Sequence, residues 1–157
     1  MNSEALLNKK EAFILRFGEE VDDVKRQVHY QSVINMTDAL LNIKNKRESD
    51  LYKQKIYEYF EEISNYSLPI DQLSSLKLFR EYLQEISLYL MSKANFRSTT
   101  DFQRAIIWGI IFDLLLFLIF SSIFGYFLPI FTLFFGLKAY SENKTALKEN
   151  RYFGRRY

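Results

Sequence analysis

The chain has 157 residues, a net charge of +2, no cysteine, 15 phenylalanines and 11 tyrosines. Roughly its last third is apolar or flanks an apolar block, so about a hundred residues remain for a water-soluble part, enough for one small domain and too few for a two-domain enzyme. The lack of cysteine excludes a disulfide framework, a thiolate metal site and a cysteine nucleophile, and it fits a soluble part that faces the cytosol.

The amino terminus has no uninterrupted apolar core and no small-residue cleavage site, so no cleaved signal peptide is expected. A first helix is predicted from about Ser3 to about Lys46, with Phe17, Val21, Val24 and Val28 on one stripe and Gly18 as the point of bending. Beyond Val28 the stripe drifts to Val33, Ile34, Ala39, Leu40 and Ile43, which argues against an uninterrupted two-stranded coiled coil. The polar run from Lys44 to Asp50 predicts a turn. A second helix, from about Asp50 to Asn65, sets Ile56, Tyr59, Phe60 and Ile63 on one face. Ser67-Leu68-Pro69 then ends it and starts the next, with Ser67 as the expected acceptor for free N–H groups. The third helix carries the cleanest spacing, Leu76, Phe79, Leu83, Ile86 and Leu90, and is expected to be the central packing element. Ser98-Thr99-Thr100-Asp101 supplies capping oxygens for a fresh helix that enters the membrane.

From Ala105 to Leu137 the chain is apolar over 33 positions, interrupted by one charge, Asp113. A straight helix of that length would measure about 50 Å against a hydrocarbon core of about 30 Å, so a hairpin is expected. Its bend is placed among Ser121, Ser122, Gly125 and Pro129. Each arm would hold about 15 apolar residues, about 22 Å, which is short of a full core and raises a membrane-thinning or wedge-like hairpin as a further reading. Residues 1–92 hold 12 Lys/Arg and 15 Asp/Glu, whereas residues 93–157 hold 9 and 4. Basic residues flank the block on both sides while its tip has none, so both termini are expected in the cytoplasm, at the inner or plasma membrane if the chain is bacterial.

Asp113 falls near mid-depth of the first arm, where a carboxylate must be paired, hydrated or protonated. Three roles are weighed: a pore-lining or proton-sensitive carboxylate in an oligomer, a partner for a basic residue on another subunit or protein, and a packing residue that is protonated or bonded to Trp108, Ser121, Ser122 or Thr132. Gly109 and Gly136 are candidates for close helix contact. Arg97, Arg104, Lys138, Lys144, Lys148, Arg151, Arg155 and Arg156 form the expected membrane-surface basic set, with Tyr152, Phe153 and Tyr157 at headgroup level.

The remaining constellations favour bland roles. Arg26-Gln27-Val28-His29 is too short a spacing for the Arg/His motif of the helical HEPN ribonucleases, and His29 is expected on a charged helix surface. Glu19-Glu20, Asp22-Asp23 and Glu61-Glu62 sit among Lys and Arg and read as solvated faces. The five glycines are scattered and make no nucleotide loop. No catalytic residue, cofactor site or metal site is assigned, and no nucleic-acid partner is expected.

The expected fold is all-α. It comprises a cytoplasmic bundle of about three helices over 1–97, a two-helix transmembrane hairpin over 98–140 (about 102–123 and 127–140), and a basic cytoplasmic tail over 141–157. The leading functional expectation is a small membrane protein that forms a homo-oligomer and acts as a pore-forming or membrane-perturbing effector. The alternatives are a non-enzymatic membrane anchor or adaptor recruiting a cytosolic partner, and a membrane-shaping hairpin.

Overall fold

In the computed structural model, which describes residues 3–43, 46–124 and 129–154, the chain is mostly helical. It divides into two units, Met1–Phe96 with Arg151–Tyr157, and Arg97–Asn150. The second is an insertion in the first.

The long first helix is broken twice, into α1 (Ser3–Phe17), α2 (Asp22–Gln27) and α3 (Tyr30–Asn42). Gly18 closes α1 with a bond from its N–H to the Ile14 carbonyl, and a Cβ there would lie 2.6 Å from that same oxygen. Val21, expected on the stripe, falls in the gap and is 67% exposed, while Phe17, Val24 and Val28 are buried. The second break is at His29, whose φ of 50° is left-handed and costs a non-glycine residue about 1 kcal/mol. His29 therefore sits at a helix junction, not on a charged helix surface. The Tyr59 hydroxyl donates to the Val28 carbonyl beside this break, which satisfies both groups in the core.

The second predicted helix is α4 (Lys46–Asn65), and its stripe is the centre of the core: Ile56, Tyr59, Phe60 and Ile63 are at most 1% exposed. Phe13 of α1 packs its ring on Tyr30 at 5.6 Å and on Phe60 at 5.3 Å, joining α1, α3 and α4. Arg16 reaches the carbonyls of Ser64 and Tyr66, where α4 runs out of partners. Rim ion pairs Lys10–Asp38, Lys9–Glu61 and Lys55–Glu85 cross between helices, each worth at most about 1 kcal/mol in contact with water.

The third predicted helix is interrupted by a π turn. It comprises α5 (Gln72–Leu78), the wide turn Phe79–Leu83 and α6 (Gln84–Lys93). Its N-cap is Asp71, not Ser67, since the Asp71 carboxylate accepts from the N–H groups of Leu73 and Ser74. A π turn adds one residue to a helical turn and rotates the face on either side of it. Leu83, Ile86 and Leu90 are buried as the spacing predicts, but before the turn Ser75 and Leu78 are buried and Leu76 is 44% exposed.

Residues 151–154 return to the first unit. Arg151 donates to the carbonyls of Ala94 and Asn95, Asn35 donates to the Tyr152 carbonyl, Gly154 N–H donates to the Ser32 hydroxyl, and Phe153 is buried.

The π-turn register gives a direct test. Leu78→Ala should cost about 2–5 kcal/mol in chemical unfolding followed by circular dichroism, while Leu76→Ala should cost less than about 1 kcal/mol. An uninterrupted helix with the predicted stripe would give the reverse order.

Candidate functional site

The second unit is an antiparallel helix pair, α7 (Asp101–Phe124) and α8 (Ile130–Lys148). At the start of α7 the Asp101 carboxylate accepts from the Ser98 N–H at 2.9 Å, and the Arg104 N–H bonds the Thr100 carbonyl. Among the described residues one helix span, Asp101–Ile119, is long and apolar enough to cross a membrane. Only 11% of that span is buried, which separates it from the core helix of a soluble protein. Leu118 is 73% exposed and Leu137 is 69% exposed.

α8 starts without a capping side chain of its own; its N-cap is Pro129, which has neither a side-chain acceptor nor an N–H. The first-turn N–H groups of α8 are instead met from α7. Asp113 Oδ1 accepts from Phe131 N–H and Oδ2 from Thr132 N–H, each at 2.8 Å, and the residue is 1% exposed. These are the second and third positions of the helix, the donors an N-cap side chain ordinarily serves. The carboxylate also lies at the positive end of the α8 dipole. One side chain thus meets two demands, the orphan donors of a helix start and the partners a buried carboxylate requires.

Gly109, one turn before Asp113, makes this approach possible. A Cβ at position 109 would lie 2.5 Å from Thr132 Cα and 2.8 Å from Thr132 N, both main-chain atoms, so a side chain there would push the two helices apart. Gly136 meets a softer neighbour, the terminal Cδ1 of Ile106 at 2.8 Å. Phe112, Phe131 and Phe135 fill the space beside the contact, with centroids 5.7–6.0 Å apart. Further along, Arg97 pairs with Glu142 at 2.5 Å. The contacts 113 with 131–132, 106 with 136 and 97 with 142 fix one register, in which Arg104 and Lys138 fall at about the same height.

The structure distributes the basic set among different settings. Arg97 and Arg104 pair with Glu142 and Asp101, and Lys138, Lys144 and Lys148 are exposed on α8, which runs on through residues 141–148 of the predicted tail. Arg151 is held by main-chain carbonyls of the first unit. The side chains of Ser121 and Ser122, the hairpin tip over 125–128, Arg155, Arg156 and Tyr157 lie outside the described residues.

In the first unit a cleft of about 560 Å³ is lined by Arg26, His29, Ser75 and Phe79 among others. Its geometry opposes nucleophilic chemistry. His29 Nε2 lies 3.1 Å from the Ser75 carbonyl, an acceptor, so that nitrogen carries the proton, and the Ser75 hydroxyl donates to the Gln27 carbonyl. Arg26 is held by Asp23 at 2.8 Å. Among the described residues no group of three or more His, Cys, Asp or Glu could hold a metal ion.

No protein-family model, curated protein or solved structure matches the chain. Thr132 was among the expected partners of a packing Asp113, and the carboxylate bonds its N–H and that of Phe131. The capping of α8 was not read from the sequence, although a signal existed: a helix start behind Pro129 with no Ser, Thr, Asp or Asn immediately before it, in a block holding a single carboxylate.

Asp113→Leu should strand both donors and destabilise the helix pair by about 3 kcal/mol, and Asp113→Asn, which keeps one acceptor oxygen, by about half as much. Gly109→Ala should loosen the pair more than Gly136→Ala, although alanine is the better helix former at both positions. Hydrogen exchange at the amides of Phe131 and Thr132 in micelles reads all four variants, and unchanged protection in Asp113→Leu would remove the cap.

Proposed function

We propose that the chain is a membrane-anchored adaptor in which α7 and α8 form the membrane hairpin and the helical unit, held at the cytoplasmic face, recruits a cytosolic protein. The observation that carries the reading is the insertion. The chain leaves the first unit after Phe96 and is tied back into it at Arg151, through bonds to Ala94 and Asn95. An anchor inserted between two such points returns to the side it left, so an even number of crossings, or a re-entrant loop, agrees with it and a single crossing does not. Lys and Arg at that end favour the cytoplasmic side.

In this reading α7 alone is long enough to cross. Ala105–Phe124 measures about 30 Å, whereas the apolar start of α8, Ile130–Leu137, measures about 12 Å and begins at the level of Asp113, near mid-depth. Asp113 serves the hairpin itself: both of its oxygens are bonded within the chain, which favours an anchor over a charged lumen. Self-association is the second reading. From Leu114 onward α7 extends past the start of α8, and Leu114 and Leu118, one turn apart and 50% and 73% exposed, offer a seam to a second copy.

The natural absence of cysteine makes topology simple to test. Ser3→Cys and Arg155→Cys should both label with an impermeant maleimide from the cytoplasmic side only, and labelling from opposite sides would sink the hairpin. Planar bilayers holding the purified protein should show no channel conductance. A conductance changed by Asp113→Asn would move the chain to the pore reading.

A further inference from the structure

We draw no further inference here: the strongest candidate, the groove of about 330 Å³ between α7 and α8 beside Trp108 and Phe112, sets Arg97 and Lys138 against Asp101 and Glu142 and is charge-balanced, so nothing in the structure shows what covers it.

Discussion

A helix cannot begin in apolar surroundings unless something accepts its first N–H groups, and the second unit is organised around that constraint. α8 follows Pro129 and brings no acceptor of its own. The Asp113 carboxylate, itself untenable there without donors, accepts from Phe131 and Thr132. Each half of the contact removes the cost of the other, because a bare carboxylate and a bare pair of amides are both expensive to bury and cheap together. Gly109 sets how close the two backbones come. Once those atoms meet, the register of the pair is fixed, and with it the Arg97–Glu142 ion pair and the groove that ends at Lys138.

The first unit is governed by the same accounting applied to carbonyls. Two of its three predicted helices are interrupted, and every interruption or helix end releases oxygens that the helical ladder would have held. Tyr59 serves Val28, Arg16 serves Ser64 and Tyr66, and Arg151 serves Ala94 and Asn95. The two arginines act at chain turns that follow helix ends, where a cation also complements the negative end of the dipole. Arg151 has a further consequence. By fastening the chain beyond α8 to the same unit that precedes α7, it makes the helix pair an excursion from one body, which is the basis for reading that pair as an anchor and not as a link between two compartments.

Asp113 and the cleft at His29 illustrate how a polar group's surroundings bear on its chemistry. Asp113 stands out in sequence as a charge in an apolar block, but with both oxygens engaged by main-chain donors it acts on the fold. His29 and Ser75 are close enough to suggest a catalytic pair, yet the Ser75 hydroxyl proton is directed to Gln27. Proximity supplies a pair, and the direction of each hydrogen bond decides whether it can react.

The sequence by itself determined the helical class, the buried face of α4, the Leu83–Ile86–Leu90 half of the third helix, the fresh helix start after Ser98–Asp101 and the extent of the apolar block. All of these follow from the spacing of residues along one backbone, a local property that periodicity records. The tertiary structure alone decided that the bend expected at Gly18 is a full break and that a second follows at His29, that a π turn exchanges Leu76 for Leu78 in the core, that Arg151 returns to the first unit, and that Asp113 caps the main-chain donors of α8. Break points and partners depend on which distant segment comes within about 3 Å of a polar atom. A one-dimensional pattern does not contain that distance, since it arises only when helices separated in sequence have packed.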